Sequence, residues 1–109
     1  WLALVNEKVV GSIQLVRAMK AKGLHWAEIE KLMVHPEYRQ QGIAFQLLCT
    51  AEAQAKSLGL KLLVLDTRQG DVSEKLYLKY GFQPAGTIPQ FALSHTGKLA
   101  ATALFYKLI

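Results

Sequence analysis

Apolar and polar positions change period along the chain, and those changes mark its elements. Residues 1–5 form a short apolar run that predicts a strand, and Asn6-Glu7-Lys8 predicts a turn. Val9 to Ala18 alternates loosely and predicts the hairpin partner, with Gly11 as a weak spot or bulge. Lys20-Ala21-Lys22-Gly23 predicts a second turn. Leu24 to Val34 predicts a third strand, ended by Pro36. Strand side chains alternate, so Trp26, Glu28, Glu30, Leu32 and Val34 are expected on one face.

From Gln41 to Leu58 the period lengthens. Ala44, Leu47, Leu48, Ala51, Ala55 and Leu58 recur at spacings of three and four, one apolar helix stripe closed by Gly59. Lys61 to Asp66 is nearly continuous in apolar character and predicts a strand covered on both faces. Asp71 to Tyr80 predicts a second helix ended by Gly81. Phe82 to Leu93 and Lys98 to Leu108 predict two strands joined by Ser94-His95-Thr96-Gly97, the first made irregular by Pro84 and Pro89. The expected order is β-β-β-α-β-α-β-β: a mixed α/β (α+β) fold with a mostly antiparallel sheet and a central βαβ unit.

The two helices begin differently. Asp71 and Glu74 are spaced as a capping box for the second. The first follows Arg39-Gln40-Gln41-Gly42-Ile43-Ala44, with no Ser, Thr, Asp or Asn to cap it and no acid before Glu52. Its N–H groups and positive dipole end suit an external anion, which Gly42 would let approach the backbone while Arg39 adds a cation. A water-capped helix behind a glycine loop would look the same in sequence.

Composition narrows the classes. The chain has 109 residues, 51% hydrophobic and 19% charged, which fits one domain with a real core and excludes disorder. The longest apolar run is Leu62 to Leu65, far below the ~18 residues of a membrane span. One cysteine excludes an intrachain disulfide framework and a cysteine-based zinc cluster, and fits a cytoplasmic location. The net charge of +5 is spread along the chain and fits an anionic partner or a solvated basic surface.

The run Val34-His35-Pro36-Glu37-Tyr38-Arg39-Gln40-Gln41-Gly42-Ile43-Ala44 resembles the acetyl-CoA signature of the GNAT N-acetyltransferase family, with Arg39, Gly42 and Ala44 at its core positions. Leu76-Tyr77-Leu78-Lys79-Tyr80-Gly81-Phe82 resembles the family's Leu-Tyr-x-x-x-Gly-Phe. Leu65-Asp66-Thr67 and the tail from Gly86 look most like a small-molecule branch that includes tabtoxin-resistance acetyltransferases. The resemblance implies an acyl-CoA N-acyltransferase-like fold over residues 1–109. It also implies an N-terminal strand and helices that this chain, opening without Met, is expected to lack. Gly70 and Ser73 depart from the Asn and Ala that many members carry.

The activity so implied is acetyl transfer from acetyl-CoA to a primary amine of a small molecule, with no metal. The backbone of Leu32, Met33 and Val34 would hold the pantetheine arm and the oxyanion; Arg39, Gln40, Gln41, Gly42, Ile43 and Ala44 would hold the phosphates. Tyr77 would be the general acid, with Tyr80 close enough in sequence to be mistaken for it. Asp66 and Glu28, ahead of Glu30, would be the base or the anionic wall of the amine pocket. A homodimer through residues 98–109 is a further expectation.

The other polar residues point elsewhere less well. His25, His35 and His95 are scattered and read as turn or surface residues, Cys49 as a half-buried helix residue, and Trp1 and Trp26 as packing residues. Two other functions compete. A CoA-binding sensor or partner domain would keep the anion loop without needing Tyr77. A nucleic-acid-binding module would use the positive charge, but the chain has neither clustered basic residues nor an aromatic RNA-binding signature.

Overall fold

A computed structural model describes residues 1–18 and 24–109; the turn expected at Lys20–Gly23 lies outside them. The elements follow the expected order: β1 (Leu2–Val5), β2 (Lys8–Arg17), β3 (Trp26–Val34), α1 (Ile43–Ser57), β4 (Leu62–Arg68), α2 (Ser73–Tyr80), β5 (Gln83–Leu93) and β6 (Leu99–Leu108). The fold is mixed α/β, with a six-stranded, mostly antiparallel sheet and two helices. The chain divides into two compact units, Trp1–Leu63 with Ile109, and Val64–Leu108, the boundary falling inside β4.

In the first unit, β1, β2 and β3 form an antiparallel meander. Asn6 and Glu7 both take positive φ, the turn type that matches the twist of a hairpin. The β2–β3 register corrects the expected face of the third strand. Gln14 faces Glu30 and Ser12 faces Met33, so two steps on β2 match three on β3. The extra residue is at Lys31, whose φ is +52°. A bulge of this kind exchanges the faces beyond it. Glu28, Glu30 and Met33 therefore share one face, and Leu32 and Val34 turn to the other with Ala27 and Ile29.

That second face packs on α1. Ile13, Ala27 and Ile29 are buried there, as are Leu47, Leu48, Ala51 and Ala55 of the helix stripe. Leu58, expected in the stripe, is exposed because the helix has ended at Ser57. Cys49 is exposed rather than half-buried, since it lies off the stripe. Trp1 is also exposed, its ammonium donating to the Ile13 carbonyl at 2.7 Å.

Gly11 is a point of close approach rather than a weak spot. A Cβ there would lie 3.0 Å from the Met33 carbonyl oxygen, 3.3 Å from Leu47 and 3.4 Å from Ile43. The obstructing oxygen is backbone and cannot swing aside. Gly11→Ala should destabilise the protein by ~1–3 kcal/mol, read as a fall in melting temperature. A melting temperature equal to that of the parent would show that β2 and α1 have slack here.

In the second unit, β6 lies between β4 and β5. Residues 99–108 are thus flanked by strands on both sides. The prolines act as expected: the β5–β6 register shifts between Pro84 and Gly86 and again between Ile88 and Ala92. Burial on β4 alternates, with Leu63 and Leu65 buried and Leu62 and Val64 half-buried. The apolar run predicts cover on both faces, and only one is fully covered. The core of this unit gathers Leu65, Tyr77, Phe82, Ala103 and Phe105. No helix of the described residues is long and apolar enough to cross a membrane.

Candidate functional site

In the first unit the candidate residues gather where β3 gives way to α1. Pro36–Tyr38 form one 3₁₀ turn, held by the Glu37 N–H donating to His35 Nδ1 at 3.2 Å. His35 is thereby a turn residue, as expected. The Arg39 Nε donates to the Val34 carbonyl at 3.2 Å, tying the loop to the end of β3. Only Nε is spent in that bond, and a guanidinium carries four further N–H donors on its Nη atoms for an anion.

Gln40 and Gly42 turn the chain with φ of +62° and +79°. Gly42 is the N-cap of α1; it supplies no side-chain cap, and the first turn contains no acid. The helix starts properly, with the Gln46 N–H donating to the Gly42 carbonyl at 3.0 Å. A Cβ on Gly42 would meet nothing within 4 Å, so the approach to the backbone is open. An uncapped helix N-terminus, an open glycine and an adjacent guanidinium fit an anionic phosphate group. Leu32 and Val34 lie just before this loop, on the α1 side of β3, and Met33 lies on the opposite face. Glu28 and Glu30 are half-buried on the same face as Met33, so the bulge separates the candidate base from the Leu32 and Val34 side chains.

In the second unit the start of α2 differs from the expected capping box by one residue. Asp71 Oδ2 accepts from the Ser73 N–H at 3.0 Å and the Ser73 Oγ at 2.5 Å. Glu74 Oε2 reaches back to the Gly70 N–H at 2.5 Å. The helix begins two residues later than predicted, at Ser73, and the side chains cap it as a turn.

This cap supports Tyr77. The Thr67 and Ser73 hydroxyls are 3.0 Å apart, and the Tyr77 hydroxyl hydrogen-bonds with the Ser73 side chain. Tyr77 is 6% exposed, its ring edge-on to Phe82 with centroids 5.9 Å apart and tilted against Phe105. Burial pushes its phenol above the ordinary value near 10; the Ser73 bond opposes this, and the nearby Asp71 and Asp66 charges add to it. Tyr77 is therefore a protonated, fixed phenol at neutral pH, able to donate a proton. Tyr80 is held differently, with the Lys107 ammonium 5.2 Å from its ring centroid.

Asp66 is exposed and accepts from Thr102 Oγ1 at 3.1 Å. The same hydroxyl also lies 3.0 Å from the Thr67 carbonyl. One hydroxyl hydrogen serves two acceptors, so the carboxylate keeps capacity for another donor. Thr102 is 3% exposed, the buried polar residue of the described set, and only the tertiary pairing marks it. Asp66 and Thr102 line a cleft of about 340 Å³ together with Arg68 and His95. Sequence reasoning missed Ser73, Thr102 and Arg68 as partners of the named residues. A signal existed for Ser73 alone, as a polar residue where many of the resembling proteins carry Ala.

The profile described as the acetyltransferase (GNAT) family matches residues 1–82. The chain belongs to the GNAT acetyltransferase family. Acetyl-CoA is the co-substrate of GNAT proteins. An aminoalkylphosphonate N-acetyltransferase of Salmonella typhimurium is 38% identical over 85 residues, covering 75% of this chain and 54% of the relative. This chain thus spans about half the length of that curated relative. A GNAT acetyltransferase of Streptococcus pneumoniae superposes with a TM-score of 0.91 at 26% identity, covering 99% of this chain and 65% of that one. A Salmonella typhimurium acetyltransferase structure with acetyl-CoA as its cofactor gives a TM-score of 0.88 at 19% identity, covering 98% and 62%, and shares the fold.

Proposed function

We propose that this GNAT protein moves the acetyl group of acetyl-CoA to the primary amine of a small molecule. The observation that carries this reading is the start of α1: an N-cap glycine in the left-handed region, no side-chain cap and no first-turn acid. The similarity to an enzyme acting on aminoalkylphosphonates supports a small amine as acceptor.

Bound acetyl-CoA supplies a thioester carbonyl activated toward attack. The chain's residues then have four tasks. The backbone N–H groups of Gln41 to Ala44 and the Arg39 guanidinium hold the phosphates, with Gln40 shaping the turn. The backbone of Leu32 to Val34 orients the pantetheine arm and donates to the oxyanion. Asp66 or Glu28 takes a proton from the incoming ammonium, directly or through water, freeing the nitrogen lone pair. Tyr77 gives its proton to the departing thiolate, and the second proton lost from the acylated nitrogen returns to the phenolate through water. Fixing both reactants removes much of the entropic barrier.

Calorimetric titration with acetyl-CoA, with ATP as an anion control, tests the donor site. Binding of acetyl-CoA well above that of ATP, followed by amine-dependent thiol release, is the expected result. Binding without thiol release for any amine would favour the sensor function. Equal affinity for ATP would reduce the loop to a general anion site.

A further inference from the structure

The cap of α2 does more than start the helix. Ser73 is half-buried and stands four residues, about one helical turn, before Tyr77. Its Oγ has three oxygen neighbours: Asp71 Oδ2 at 2.5 Å, Thr67 Oγ1 of β4 at 3.0 Å, and the Tyr77 hydroxyl, with which it hydrogen-bonds. A serine hydroxyl has one hydrogen to give and two lone pairs to accept with. Thr67 can fill an accepting place with its own hydrogen, so Asp71 and Tyr77 remain as acceptors of the Ser73 hydrogen.

While Tyr77 is protonated, the carboxylate is the stronger acceptor, and a separation of 2.5 Å fits a hydroxyl donating to it. When Tyr77 gives its O–H proton to the departing thiolate, an S–H bond forms and the negative charge passes to the phenolate. That oxygen then competes for the Ser73 hydrogen. Asp71 can release it, because its Oδ2 still accepts from the Ser73 N–H at 3.0 Å. The exchange is a rotation about one bond, and Ser73 keeps its proton throughout. Phe82 and Phe105, which touch the Tyr77 ring, bring no donor. The charges that bear on the phenol, Asp71 and Asp66, are both negative, and the Lys107 ammonium of β6 sits over Tyr80 instead.

We propose that Ser73 is a positioning residue for acetyl transfer, its hydroxyl hydrogen passing from Asp71 to the Tyr77 oxygen as the phenolate forms, with Asp71 and Thr67 holding it in place for that rotation. This rests on the acetyl-transfer reading and adds to it a residue that acts only through Tyr77.

Ser73→Ala should lower kcat about tenfold, the scale of one hydrogen bond to a charged group, with KM for acetyl-CoA unchanged. Ser73→Thr, which keeps the hydroxyl, should recover most of that loss. In a Tyr77→Phe background Ser73→Ala should cost nothing further, since no phenolate forms there. An equal loss in both backgrounds, or no loss in either, would overturn the proposal. Ultraviolet titration of tyrosinate, with the Tyr77→Phe curve subtracted to isolate Tyr77, reads the same bond without turnover. Ser73→Ala should move the Tyr77 titration to higher pH. Asp71→Asn, which removes a negative charge and frees the Ser73 hydrogen, should move it to lower pH. These shifts without turnover of any amine would uphold the exchange between Ser73 and Tyr77 and overturn the transfer reading. An unshifted titration in Ser73→Ala would overturn the proposal, whatever the turnover.

Discussion

Gly42→Glu should lower acetyl-CoA affinity by at least ~100-fold while leaving the protein folded. The carboxylate would stand at the N-terminus of α1, where the phosphates would otherwise sit, and two like charges ~4 Å apart at a partly solvated site repel by ~4 kcal/mol. Folding should change little because two small effects oppose each other. A side chain at the Gly42 φ of +79° is strained by ~1–2 kcal/mol. A negative charge at an uncapped helix N-terminus returns ~0.3–1 kcal/mol. There is also room, since nothing lies within 4 Å of the added Cβ. Calorimetry reports the affinity and thermal melting the fold. Parent-like affinity in a folded variant would remove the phosphate-loop assignment.

Removing the Tyr77 hydroxyl should cost kcat and little else. General acid catalysis contributes ~100-fold or more, so Tyr77→Phe should lower kcat by about that factor with acetyl-CoA affinity nearly unchanged. The ring contacts with Phe82 and Phe105 persist in Phe, and the lost hydrogen bond to Ser73 costs ~1 kcal/mol of stability. The pH dependence has a definite sign. The folded pKa lies above the ordinary value near 10, so the folded protein keeps a proton that the unfolded chain releases. Stability from this group is complete below pH ~10 and is lost as pH rises through the folded pKa. Alkaline denaturation of Tyr77→Phe should lack that component. An unchanged kcat would show that the acid is another group, with Tyr77 serving only to pack.

Local signals carried much of this protein. The helix stripe Leu47, Leu48, Ala51 and Ala55 is buried as its spacing requires, because a period of 3.6 can satisfy only one face. Ser94 to Gly97 closes a hairpin, and Pro84 and Pro89 interrupt β5, for reasons internal to those residues. The bare N-terminus of α1 was legible because a missing cap is a matter of which residues adjoin the helix.

Other features depend on residues far apart in the chain. Nothing in the run Glu30-Lys31-Leu32 announces a bulge; the register against β2 reveals it and moves Leu32 and Val34 to the face opposite Glu28. Burial of Tyr77, which sets the direction of its pKa, comes from Phe82 and Phe105 closing over its ring. The gathering of Asp66, Arg68, His95 and Thr102 around one cleft depends on β6 returning beside β4. Order of elements, helix stripe and uncapped turn were readable along the chain, since periodicity and capping act over a few neighbouring residues. Strand faces, burial and the membership of the cleft emerged with folding, since they follow from strand pairing across tens of residues.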